Sequence, residues 1–320
     1  MKRQAKGYLM VACAATLWGT VGVQVQTLFN YNLSLQSIIF WRLFFAFIIL
    51  FSFVFFTNKK RLIIDKKGLI YLALMGLFIQ LLFNLFYFSC IQKTTIATAV
   101  TLLYSAPIFI AVMARIFYKE LFTPIKTAAL FLCMGGCFFA ATGGSAAVLK
   151  LNLIGVLMGL GAGFTFSLVT IISKAIINKY HQLTIIVYAL GFGLLFYLPF
   201  SHPLIIFQKS LPLEVWLLIS FFGVISTAIA YGLYITGISY GIEVSRAGII
   251  STLELVVAVT LSYLIFKEAL WGWKLAGILM VVFSVIIVQV DKFLPYYLAT
   301  TILPFCLRHH RLNDTPPTHP

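Results

Sequence analysis

Glu254 and Arg42 are ionisable side chains set inside long apolar stretches, where charge is costly. An ionised acid at the centre of a lipid-embedded helix costs roughly 2.5–3.5 kcal/mol on insertion scales, so such a group is paired, protonated or facing water. The chemistry open to Glu254 is proton exchange or capture of an amine, against the plainer alternative of a satisfied structural acid. For Arg42 three readings stand side by side: an ion pair with Glu254, an anchor for a carboxylate, or a side chain reaching to the headgroups. Polar residues extend the set. Gln80, Asn84 and Tyr87 follow an i, i+4, i+7 spacing, and Thr227, Tyr231 and Tyr234 repeat a similar one. Such stripes at matching places would line a shared cavity or join helices by hydrogen bonds. Trp18, Tyr104, Ser105 and Ser251 are weaker candidates.

The elements that hold these residues are legible in the composition. Of 320 residues, 62% are hydrophobic and only 10% charged, where a soluble domain carries roughly 25% charged residues. Ten apolar runs follow, at about 7–28, 35–56, 68–90, 95–117, 124–143, 151–176, 182–200, 213–236, 244–266 and 272–290. Each is long enough to cross ~30 Å of hydrocarbon at 1.5 Å per residue. Continuous runs mean helices, because lipid offers no partner to a free backbone amide. Ser34, Thr123 and Asn152 are the expected N-caps, and Pro212 is expected to open the eighth helix. Glu254 then lies ~15 Å deep, near the midplane, and Arg42 ~10 Å deep. The opening run from Gly7 resembles a signal peptide but is long enough to span, and is read as a retained helix.

The net charge of +15 sits in short clusters between the runs, not on one basic domain, so no nucleic-acid partner is expected. With the N-terminus inside, 17 bases fall on the inner side and 5 outside, which predicts both termini in the cytoplasm of a multi-pass protein of the cell membrane. The lipid bilayer is thus one expected partner, while oligomeric state is open. Cys133 and Cys137 share a helix face without an acid or histidine beside them and read as packing residues, so neither a metal nor a cofactor is expected. A membrane-embedded transferase would cluster acids or histidines at one interface. Here His181, His202, His309, His310 and His319 are scattered, so the chain is not read as an enzyme.

A shift of 148 residues superimposes the halves. Gly7, Leu9, Met10 and Ala14 fall on Gly155, Leu157, Met158 and Ala162, Lys119-Glu120 on Lys267-Glu268, and Lys126 on Lys274. The expected organisation is a first repeat over 1–148, a second over 149–292 and a cytoplasmic tail over 293–320. Five helices per half make the second repeat enter the membrane from the opposite side. The fold class is therefore all-α integral membrane: ten transmembrane helices in two inverted five-helix repeats. Inverted repeats suit alternating access to a small-molecule substrate. Glu120 and Glu268, at helix–turn–helix junctions, are expected to cap a helix start or tie the turn.

Leu17-Trp18-Gly19, Tyr104-Ser105-Ala106-Pro107-Ile108-Phe109 and the two Lys-Glu pairs resemble the EamA-type members of the drug/metabolite transporter superfamily. The resemblance implies a ten-helix carrier with a central cavity for amino acids, other metabolites or drug-like compounds. The family typically has glycine where Lys119 and Lys267 stand, and often proline at the position of Leu255. The kink expected at Pro107 therefore lacks a proline counterpart in the second half, and the two halves are expected to move unequally. The function expected is secondary transport of small metabolites, with proton coupling through Glu254. The alternatives are efflux of lipophilic cations, a passive channel or a transferase.

Overall fold

The computed structural model describes residues 2–149, 152–208, 211–267, 270 and 272–290. Glu268 and the 293–320 tail lie outside the described residues. The described chain folds into helices α1 (Arg3–Phe29), α2 (Leu35–Leu62), α3 (Lys66–Lys93), α4 (Thr98–Tyr118), α5 (Pro124–Thr142), α6 (Leu153–Ile176), α7 (Gln182–Ser201), α8 (Leu213–Ser239), α9 (Val244–Phe266) and the shorter α10 (Trp273–Val290). All ten apolar runs become helices. The predicted caps form: Ser34, Thr123 and Asn152 each accept a hydrogen bond from the backbone amide three residues on. Asp65 and Thr95 do the same at helix starts that sequence reading passed over.

Packing follows the internal repeat. α1 packs against α8 and α9, and its counterpart α6 packs against α3 and α4, so each half's first helix is inserted into the other half. α2 meets α7, and α5 meets α10. Lipid supplies no drive to press apolar faces together, so small residues let helices approach. At the α5–α10 crossing Gly136 and Gly277 lie backbone to backbone. Their repeat counterparts, Ser284 and Ala129, are also small and fully buried.

The helices are broken at equivalent places. α3 carries a π-helical stretch at Gly76–Leu82, and α8 carries one at Phe222–Ile229. α4 breaks at Tyr104 and Ser105, and α9 breaks at Thr252, 148 residues beyond Tyr104. The expectation of a kink in one half only is therefore corrected. In α4, Pro107 lacks the amide that would continue the ladder. In α9 hydroxyls do the work: Ser251 Oγ donates to Gly248 O at 2.7 Å and Thr252 Oγ1 to Ile249 O at 2.6 Å, competing with the backbone for its carbonyls. Both helices end at a lysine in the left-handed region, Lys119 at φ 55° and Lys267 at φ 56°. That conformation suits glycine, which has no Cβ to clash.

Candidate functional site

Trp18 is buried among aromatic rings. Its centroid lies 5.2 Å from those of Tyr231 and Tyr234 and 6.0 Å from that of Phe166. Tyr234 is held by a 2.5 Å hydrogen bond with Thr170. Gly19 brings α1 onto α9, since a Cβ there would stand 2.7 Å from the carbonyl oxygen of Glu254. Glu254 opens the second segment of α9, just after the break, within electrostatic range of Tyr87, Tyr104 and Tyr231. Among the described residues it makes no ion pair. Arg42 approaches Tyr231 from α2, with its guanidinium carbon 5.1 Å from the Phe222 ring centroid and Tyr197 also nearby. Gln80 stands beside Tyr231.

The structure thus links Trp18, Arg42, Gln80, Tyr87, Tyr104, Tyr231, Tyr234 and Glu254 in one cluster of neighbours around Tyr231. It spends the other candidates on their own helices. Ser105 Oγ donates to Leu102 O at 2.6 Å, Ser251 Oγ to Gly248 O, and Thr227 Oγ1 to Phe222 O at 3.3 Å inside the π-helical stretch. The Asn84 amide donates to the Gln80 carbonyl. Nor do the two polar stripes match. Shifted by 148, Gln80, Asn84 and Tyr87 fall on Ala228, Gly232 and Ile235, one residue out of register with Thr227, Tyr231 and Tyr234. One residue is about 100° around a helix, so the two stripes lie on different faces of their helices.

A second polar cluster, missed in the sequence, joins α1 to α8. Gln24 Nε2 donates to Ser226 Oγ at 2.9 Å, and Thr20 Oγ1 lies 3.1 Å from the same hydroxyl. Each is a common residue whose partner is about 200 positions away, so no local pattern marks it.

The face that carries the N-terminus holds a charged clamp between the halves. Glu120 binds the start of α9, a helix of the other half. Its carboxylate accepts from Val244 N at 2.8 Å, Ser245 N at 3.1 Å and Ser245 Oγ at 2.5 Å. Glu243 binds Lys126 Nζ at 2.5 Å and Arg246 Nε at 2.7 Å. Arg246 also donates to Val288 O at 2.6 Å, and Lys174 Nζ to Ile242 O at 2.9 Å. Burial opposes the charge on Glu243, but Arg246 and Lys126 outweigh it and hold the carboxyl below its ordinary value. A crevice beside Glu120, Lys126 and Ser245 measures about 10 Å³, room for one water, and belongs to this clamp. The positions equivalent to Glu243 and Arg246 on the opposite face are Thr95 and Thr98, which carry no charge.

A smaller clamp on the same face joins Asp65 to Lys179 at 2.7 Å and to the Tyr180 hydroxyl. The Lys179 and Tyr180 hydrogen bonds lower the Asp65 carboxyl from 3.8 to about 2. A carboxyl depressed on folding stabilises above its unfolded value, and the benefit is lost as pH falls through the folded one. The difference in thermal midpoint between wild type and Lys179→Met is therefore expected to be present at pH 5 and to shrink towards pH 2. A difference unchanged over that range would show that the pair does not couple to folding.

The comparisons with known proteins agree with this architecture. A family model described as the EamA-like transporter family matches residues 5–142 and again 153–290, two stretches in the same 148-residue offset. The uncharacterized inner membrane transporter YicL of Salmonella typhimurium is 26% identical over 295 residues, covering 90% of this chain and 96% of its own. An uncharacterized transporter of Archaeoglobus fulgidus is 28% identical over 286 residues, covering 88% and 95%. One crystal structure of a protein aligns over 89% of this chain and 97% of its own length at a TM-score of 0.71 and 17% identity, which shows a shared fold. With the family model covering both halves, the chain belongs to the EamA-like transporter family.

Proposed function

We propose that this transporter carries small metabolites, amino acids or related compounds, across the cytoplasmic membrane by alternating access, with both termini inside and a proton exchanged at Glu254. The observation that carries the reading is the setting of Glu254. It lies at the break of α9, close to the tyrosines of three other helices and with no ion-pair partner among the described residues. An acid left unpaired at that depth is a site for a proton or an amine. The equivalent breaks in α4 and α9 support alternating access, since they give each half a place to bend. Glu243 and Arg246 on one face, against the uncharged Thr95 and Thr98 at their equivalent positions on the other, add to that support.

The aromatic surroundings of Trp18 favour a second reading, efflux of lipophilic cations, which aromatic faces attract. Proteoliposomes separate the possibilities. Labelled amino acids and labelled tetraphenylphosphonium are offered with and without a pH gradient, and with unlabelled solute on the far side. A carrier accelerates exchange under trans solute, and a channel does not. Glu254→Gln is expected to lower gradient-driven flux at least ~10-fold, because one lost proton site removes the coupling, while exchange between equal pools persists. Unchanged flux with unchanged pH dependence would remove Glu254 from the mechanism.

A further inference from the structure

Arg42, half-buried with its Nε enclosed, differs from the buried bases Lys126 and Arg246 in having no carboxylate beside it among the described residues. Lys126 is 7% exposed and Arg246 4%, and both bind Glu243. Arg42 Nε is buried without a hydrogen-bond partner, and among the described residues no carboxylate pairs with the guanidinium. Glu254, which sequence depth placed close enough to pair, makes no ion pair with it. The neighbours of Arg42 are the Phe222 ring and the phenols of Tyr231 and Tyr197, which do not supply a negative charge near neutral pH.

The backbone around Arg42 is held closely. A Cβ on Gly223 would stand 2.5 Å from the Arg42 carbonyl oxygen, so α8 abuts α2 at this residue, inside the π-helical stretch. Packing therefore fixes the root of the side chain while the buried Nε stays unmatched. A guanidinium offers Nε and one Nη as parallel donors, the geometry that takes both oxygens of a carboxylate, while its face stacks on aromatic rings. Leaving the buried Nε unpaired is costly, and an arriving anion removes the cost.

We infer that Arg42 receives the carboxylate of the transported solute in a two-pronged hydrogen bond, so that the substrates are carboxylate-bearing compounds and not lipophilic cations. The inference rests on the transport reading above and names the chemistry of its site. The apolar part of the solute then lies along the rings of Phe222 and Tyr231.

The test uses purified full-length protein in nanodiscs and four probes: phenylalanine, phenylacetate, the methyl ester of each, with tetraphenylphosphonium as the cationic control. Binding is read by calorimetry and by the thermal midpoint. Either acid is expected to bind at least ~10-fold more tightly than its ester. Arg42→Gln is expected to abolish that preference, and Arg42→Lys to weaken the acid at least ~10-fold, because a point charge lacks the fork. Unliganded Arg42→Gln is expected to melt no lower than wild type, since an unpaired charge is removed; this separates a binding role from a structural one. The inference is overturned if neither acid binds, if the esters bind equally well, or if Arg42→Gln keeps the acid affinity. Binding of tetraphenylphosphonium alone, independent of Arg42, also overturns it and leaves the transport reading standing. Absence of exchange for every solute in proteoliposomes, with acid binding intact, is the result that counts against transport instead.

Discussion

Glu243→Gln is expected to destabilise the protein by about 2–4 kcal/mol. Removing one partner of a buried ion pair costs about 3–5 kcal/mol, because the other charge is left buried and unmatched. Glu243 serves two such cations, Lys126 and Arg246, whose side chains are 8% and 5% exposed. Its own side chain is 40% exposed, so water screens part of the loss and the lower range applies. Chemical unfolding in detergent micelles checks the value. Lys126→Met together with Glu243→Gln should cost less than the sum of the two changes, because the pair is removed as a unit. Strict additivity would show that Lys126 draws its stability from Leu121 O, to which it donates at 3.0 Å, and not from the acid. On the alternating-access reading the same variant also favours the state open at the N-terminal face.

Gly277→Ala is expected to cost about 1–3 kcal/mol, the range for an overpacked core. An added Cβ would stand 2.3 Å from Ala140 N and 2.6 Å from Gly136 O. Both are helix backbone, so no rotamer relieves the clash and α5 must move away from α10. Alanine is otherwise the better helix former by about 1 kcal/mol. Gly22→Ala isolates that term, since a Cβ at Gly22 meets nothing within 4 Å, and should leave stability equal or slightly higher. The measurement is the thermal midpoint of both variants in the same detergent. A Gly277→Ala midpoint matching that of Gly22→Ala would mean that the α5–α10 contact is loose.

Much of the architecture was legible in the chain because lipid leaves it few choices. A run of about 20 apolar residues in a solvent without hydrogen-bond partners has to become a helix. The repeated Lys-Glu pairs and the match of Gly7, Leu9, Met10 and Ala14 to Gly155, Leu157, Met158 and Ala162 carry the symmetry, and an odd number of helices per half makes it inverted. Glu254 and Arg42 were conspicuous for the same reason: charge in an apolar run needs an explanation.

Which polar residues bond to their own helices was not legible. Ser105, Ser251, Thr227 and Asn84 have the right type and spacing, but each bonds a carbonyl of its own helix, an option local to the backbone that leaves no trace in periodicity. The π-helical stretches shift the faces of α3 and α8, and an i, i+4, i+7 count assumes they are absent. The break at Thr252 was missed because proline was the signal sought, whereas two hydroxyls bend α9 without one. The clamp formed by Glu120 and Ser245 joins residues 125 positions apart. Sequence alone determined the helices, their number and their pairing into repeats, because those follow from burial in lipid. Tertiary structure alone decided which charges meet and which stay unpaired, because that depends on the close approach of helices that small residues permit.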